Sequence, residues 1–113
     1  MENSLYPAAT PELGKKREQL TPETLNTWRT FSRQVFTEGA LPAKTKDLIA
    51  VAVAHVTQCP YCISAHTRSA RQKGATEKEI MEAIWVAAEM RAGAAIAHSA
   101  LAIDVMKEHP PSE

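Results

Sequence analysis

The spacing of apolar residues along the chain is that of helices almost from end to end. Leu25, Trp28, Phe31, Ser32 and Val35 recur three and four residues apart, the interval that places side chains on one helical face. Thr21-Pro22 marks the start of that helix, an N-cap candidate followed by proline at the first helical position. Gly39 marks its end. Pro42 opens a second segment over residues 43–57, in which the run 48–54 is apolar on every face, a pattern that predicts burial on most sides. Pro60 starts a third helix that runs through Cys62, His66 and Ala70 to Gly74. Thr76 with Glu79 three residues on forms a capping box, launching a helix with Ile80, Ile84, Trp85 and Ala88 on one stripe. Gly93 reads as a break, after which 94–108 forms a last helix with Ile96, Ala100, Leu101 and Val105 facing inward. A short helix around 12–19 is a further candidate.

Alternating runs of β-branched residues are missing, and about one residue in six is alanine; both features favour helix. The expected fold is an all-α bundle of about five to six helices. Small residues such as Ala50, Ala54, Ala87 and Ala95 let helix axes approach closely. No repeat, low-complexity tract or shift in composition divides the chain. It is expected to form one domain over 1–113, with a core at about 21–108 and with 1–10 and 110–113 loosely held. So apolar a segment as 48–56 is hard to cover in a small domain, which predicts a homo-oligomer.

Charge narrows the partners. Thirteen basic and thirteen acidic side chains cancel among 113 residues, and the sequence pI is near 6.9. Binding nucleic acid or an anionic membrane surface calls for a basic excess that is missing here. The longest apolar run is far short of the ~20 residues that span a bilayer. Residues 1–10 carry Glu2 and Pro7 instead of a basic segment and an apolar run, so a secretory signal is not expected. The expected location is the cytoplasm.

Chemistry concentrates in His55-Val56-Thr57-Gln58-Cys59-Pro60-Tyr61-Cys62-Ile63-Ser64-Ala65-His66. Pro60 puts Cys59 near the N-cap of a helix and Cys62 in its first turn, where unpaired N–H groups and the helix dipole favour thiolate. The spacing makes a reversible disulfide available within one turn. His66, four residues after Cys62, lies one turn further along the same face and can accept the thiol proton. Competing interpretations are two buried inert thiols and a zinc set of His55, Cys59, Cys62 and His66. All four candidate ligands crowd into twelve residues with stiff helix on both sides of Pro60, which makes tetrahedral closure difficult. Haem attachment is excluded because Ile63 follows Cys62 where histidine is required.

The motif Asp47-x11-Cys59-x2-Cys62-x3-His66 resembles that of the alkylhydroperoxidase D-like (AhpD-like) proteins of the carboxymuconolactone decarboxylase superfamily. The segments 42–52, 62–70 and 71–76 resemble that family's preceding helix, cysteine helix and helix exit, and the resemblance covers about 21–108. It implies an AhpD-like helical bundle, oligomeric as a trimer or hexamer, and a thiol-dependent peroxidase or disulfide reductase. Cys62 would attack a hydroperoxide, Cys59 would condense with the resulting sulfenic acid, and an external dithiol or redox partner protein would reduce the disulfide. No cofactor or metal is implied beyond the cysteine pair. His66 would serve as base and Asp47 would polarise it, directly or through water. Two positions depart from the family pattern: Asp47 stands where glutamate is usual, and Tyr61 where the peroxidases carry histidine. Tyr61 and His55 are left as substrate contacts or outer partners of the site. The same fold without turnover, as a redox-responsive or scaffold protein, is the alternative; the cysteines point away from the decarboxylase branch.

Overall fold

The computed structural model describes residues 5–112. It consists of five helices: α1 (Pro11–Leu20), α2 (Pro22–Phe36), α3 (Ala43–Thr57), α4 (Pro60–Gln72) and α5 (Glu77–Glu108). There is no strand among the described residues. The chain separates into two compact units, Met1–Ala43 and Lys44–Glu113. The expectation of loose ends falls partly on 1–4 and 113, outside the described residues. Residues 7–10 have no regular structure.

In the first unit Thr10 caps α1, its hydroxyl accepting the Leu13 N–H at 3.4 Å, and Pro11 occupies the first turn. Thr21 joins α1 to α2. Its N–H closes α1 on the Arg17 carbonyl at 2.9 Å, and its own carbonyl accepts the Leu25 N–H at 3.0 Å. The expected side-chain cap is not made: the Thr21 hydroxyl turns back to the Arg17 carbonyl. On α2, Trp28 and Phe31 pack ring to ring at 5.8 Å, and both remain more than half exposed.

The second unit holds the core, in which Val51, Ala70, Ala75 and Ile80 cluster with Leu48 and Ile84 against them. Ala54 and Ala87 are also buried, and their single methyl groups permit the close helix approach expected of alanine. The capping box forms as read from the sequence: Thr76 accepts the Glu79 N–H at 3.0 Å and Glu79 accepts the Thr76 N–H at 2.9 Å. Arg91 of α5 donates to the Val56 carbonyl at 2.8 Å, satisfying an end of α3 that has no intrahelical partner.

Two expectations are corrected here. Gly93 does not break the last segment, and α5 is a single helix of 32 residues. A glycine inside a helix costs about 1 kcal/mol relative to alanine, but Ala92, Ala94 and Ala95 around it are the strongest helix formers. The inward stripes are also shorter than expected. Ile80 is buried and Ile84 half-buried, whereas Trp85, Ala88, Ile96, Ala100, Leu101 and Val105 are exposed. At ~1.5 Å per residue α5 runs about 48 Å, roughly twice the length of α3 or α4. Its C-terminal half therefore outruns them. Likewise α3 buries one face (Asp47, Val51, Ala54), while Ile49, Val53 and Val56 are exposed. A unit of three helices covers α3 on one side only. Among the described residues, no helix is long and apolar enough to cross a membrane.

Candidate functional site

The site is built on α4 and on α3 before it. Helix α3 ends with Gln58 in the left-handed region at φ 59°, and the Cys59 N–H reaches back to the Ala54 carbonyl at 3.1 Å. This is the six-to-one bond of a Schellman stop. Cys59 is then the N-cap of α4, in extended conformation, and its sulfur accepts the Cys62 N–H at 3.3 Å. One residue thus ends one helix and starts the next. Cys59 and Cys62 are joined by a disulfide, with Cα atoms 5.3 Å apart, and both are half-buried.

One turn on, the His66 ring meets Asp47 of α3, with Nδ1 at 3.1 Å from Oδ1. A carboxylate can only accept, so Nδ1 carries the hydrogen and the lone pair of neutral His66 lies on Nε2. Asp47 is 2% exposed. Its second oxygen, Oδ2, accepts from the Ser69 hydroxyl at 2.8 Å and from Lys73 Nζ at 2.6 Å. Lys73 also donates to Ser69 Oγ at 2.7 Å, leaving the Ser69 hydrogen for Asp47. Burial pushes the Asp47 carboxyl up, but hydrogen bonds from Lys73, His66 and Ser69, with the Lys73 charge, outweigh it and hold the group below its ordinary value. A buried charge needs such a complete set of partners. Among the described residues no buried side-chain nitrogen or oxygen lacks one.

The structure therefore brings Asp47 and His66 into direct contact, and the shorter aspartate side chain needs no bridging water. Cys59 and Cys62 stand at the opposite end of α4 from Ser69 and Lys73. Tyr61, between the cysteines, is 41% exposed. His55 is not drawn into the Asp47 cluster: its Nδ1 donates to the Val51 carbonyl of its own helix at 2.7 Å. Among the described residues no three histidine, cysteine, aspartate or glutamate side chains gather as a metal-holding group. A depression lined by Lys15, Glu18 and Gln19 lies on α1, in the other unit, and holds none of these groups.

Sequence reasoning missed Ser69 and Lys73. Their signal was the spacing 66, 69, 73, which puts three polar groups on one face of α4. Two thiols that interconvert with a disulfide, one helical turn from an imidazole hydrogen-bonded to a buried carboxylate, can exchange two electrons and move one proton.

Comparison with known proteins extends this picture. Residues 22–104 match the profile of the carboxymuconolactone decarboxylase family. The chain is 65% identical over 78 residues to uncharacterized protein 4 in the cox locus of Paracoccus denitrificans, a match covering 69% of this chain and 70% of that one. A crystal structure from Methanobacterium thermoautotrophicum is similar with a TM-score of 0.70 and 35% identity, over 74% of this chain and 93% of that one. A carboxymuconolactone decarboxylase family protein from Legionella pneumophila superposes with a TM-score of 0.66 and 32% identity, over 88% of both chains. A protein of that family from Thermotoga maritima, for which a part in the antioxidative response is suggested, gives a TM-score of 0.54 and 34% identity over 74% of this chain and 89% of that one.

Proposed function

The chain belongs to the carboxymuconolactone decarboxylase family, and on that footing we propose that it is a thiol-dependent oxidoreductase that reduces hydroperoxides at the Cys59–Cys62 pair. The observation that carries this is the disulfide at the start of α4, one turn from an imidazole held by the buried Asp47. The suggested antioxidative role of the Thermotoga maritima relative supports the same direction.

The cycle starts from the dithiol. His66 takes the Cys62 proton at Nε2, and the first-turn position of Cys62 favours the thiolate. The Cys62 sulfur attacks the outer oxygen of a hydroperoxide; the O–O bond breaks, the alkoxide leaves as alcohol with the proton from His66, and Cys62 becomes a sulfenic acid. The Cys59 sulfur then attacks Cys62, releasing water and forming the disulfide. An external dithiol restores the pair by thiol–disulfide exchange and is itself oxidised. Asp47 keeps the Nε2 lone pair directed away from itself and stabilises the imidazolium. No cofactor takes part beyond the cysteine pair. The substrate class is a small hydroperoxide, or a small disulfide run through the same exchange. A supply of dithiol reductant fits the cytoplasm. The exposed Ile49, Val53, Trp85, Ile96 and Leu101 support a homo-oligomer that covers them.

The test follows consumption of tert-butyl hydroperoxide with dithiothreitol as reductant. The parent turns over, Cys62→Ser does not, and His66→Ala slows by about 10²–10⁴-fold. Activity that survives Cys62→Ser overturns the mechanism. An inactive parent whose cysteines still cycle with redox state favours a redox-responsive protein without turnover.

A further inference from the structure

Nothing in the redox cycle uses Lys73 or Ser69, yet they complete the coordination of Asp47, the one buried charged side chain among the described residues. Their placement follows from how α4 ends. Lys73 is the C-cap, its N–H bound to the Ser69 and Ala70 carbonyls at 3.1 Å. Gly74 then takes φ 93°, and its N–H and that of Ala75 close on the Arg71 and Ala70 carbonyls at 3.0 and 2.9 Å. With its backbone held there, the Lys73 side chain folds back over the last turn onto Ser69 and Asp47.

We propose that Lys73, assisted by Ser69, is a positioning residue that occupies Oδ2 of Asp47 and so limits how strongly Oδ1 draws a proton onto His66. The proposal rests on the redox function above, in which His66 must arrive neutral to accept the Cys62 proton. A buried carboxylate facing an imidazole alone favours the imidazolium strongly, because the pair is the only way to neutralise the charge. A lysine 2.6 Å away on the other oxygen already supplies that neutralisation. The imidazole then keeps its hydrogen bond through Nδ1 and remains a base at Nε2.

Several other charged groups on α3, α4 and α5 have partners of their own. From α5, Glu79 pairs with Lys44 of α3 at 3.2 Å and caps Thr76. On α3, Lys46 adjoins Asp47 in sequence and His55 bonds to the Val51 carbonyl. On α4, Cys59 and Cys62 form the disulfide, and Arg68 donates to Ser64. Only His66 and Lys73, among the described charged or titratable side chains, make ion pairs with Asp47.

The experiment is a ring-nitrogen NMR titration of His66 in the reduced full chain. In Lys73→Met the Asp47–His66 pair should hold its last proton to a pH about one unit higher than the parent. Lys73→Arg should restore most of the parental midpoint, and Ser69→Ala should move it in the same direction as Lys73→Met by less. An unchanged midpoint in a folded Lys73→Met chain overturns the proposal. Lys73→Gln, which keeps a hydrogen-bond donor but removes the charge, gives the same readout if Lys73→Met does not fold; if neither folds, Lys73 is purely structural and the proposal falls. The titration uses no peroxide. A chain that fails the turnover assay but shows the shift disproves the redox function and leaves the positioning intact, and the reverse pattern disproves only the positioning.

Discussion

Helix α4 is entered and left through the same backbone motif, but the two ends serve opposite purposes. At the start Gln58 is left-handed, Cys59 bonds back to Ala54, and half-buried sulfurs follow. At the end Gly74 is left-handed, Ala75 bonds back to Ala70, and Lys73 reaches over the turn to a carboxylate that is 2% exposed. One end carries two half-buried sulfurs joined as a disulfide, and the other seals a charge inside. His66 lies between them along the helix and bonds to Asp47. Substitutions at the two ends should therefore separate activity from stability.

The largest effect belongs to the sulfur end. Cys62→Ser should abolish peroxide turnover, while the urea midpoint of the reduced chain changes little, because a half-buried first turn exchanges a thiol for a hydroxyl of similar shape. At the sealed end Asp47→Ala should destabilise the chain by about 2–3 kcal/mol in urea denaturation, and should lower turnover as well by releasing His66. That figure lies below the ~3–5 kcal/mol for breaking a fully buried pair, because Lys73, with a side chain 38% exposed, can turn to water. A Cys62→Ser loss of stability as large as that of Asp47→Ala would break the division of labour between the ends.

Acid should expose the same difference. Asp47 is held below its ordinary value of 3.8, so the folded state binds its proton less readily than the unfolded chain. The stability it contributes is complete above that ordinary value and is lost as pH falls through the lower folded one. Glu79, lowered from 4.5 by the Thr76 N–H and by Lys44, contributes with the same sign. Unfolding midpoints followed downward from about pH 6 should converge for the parent and Asp47→Asn as the parent's Asp47 carboxyl protonates, the Glu79 contribution being common to both. A gap that persists undiminished at the acid limit would mean that Asp47 stabilises by shape and not by charge.

How much of this was legible beforehand follows the range of the interactions. The cysteine turn is local: Pro60, the two sulfurs and the imidazole one turn on sit within eight residues, and α3, α4 and the capping box were read within two residues of their ends. The Asp47 cluster joins residues 19, 22 and 26 positions apart, and periodicity alone does not say which helix faces which. His66 is legible from its place one turn after Cys62 and Asp47 only from the family motif, whereas Ser69 and Lys73 offer no signal beyond their spacing on a polar helix. The failure at Gly93 has a different cause, since glycine can stop a helix but does so only when the following residues disfavour helix, and here they are alanines.

The smallest expected effects lie in the two left-handed residues themselves. Gly74 has open space where a Cβ would stand, so Gly74→Ala meets no clash and suffers only the backbone penalty of about 1–2 kcal/mol for a side chain in this region. Gln58 already carries that penalty. Gln58→Gly removes it but also loosens the unfolded chain by roughly 0.5–1 kcal/mol, leaving a net gain of about 0.5–1 kcal/mol in thermal or urea unfolding. If the two exits are equivalent backbone devices, the two substitutions should act with opposite signs and peroxide turnover in Gln58→Gly should stay within about twofold of the parent, a change of less than ~0.5 kcal/mol in the barrier. A stabilised Gln58→Gly chain with altered turnover would show instead that the left-handed glutamine helps aim Cys59, tying backbone conformation at the entry of α4 to its chemistry.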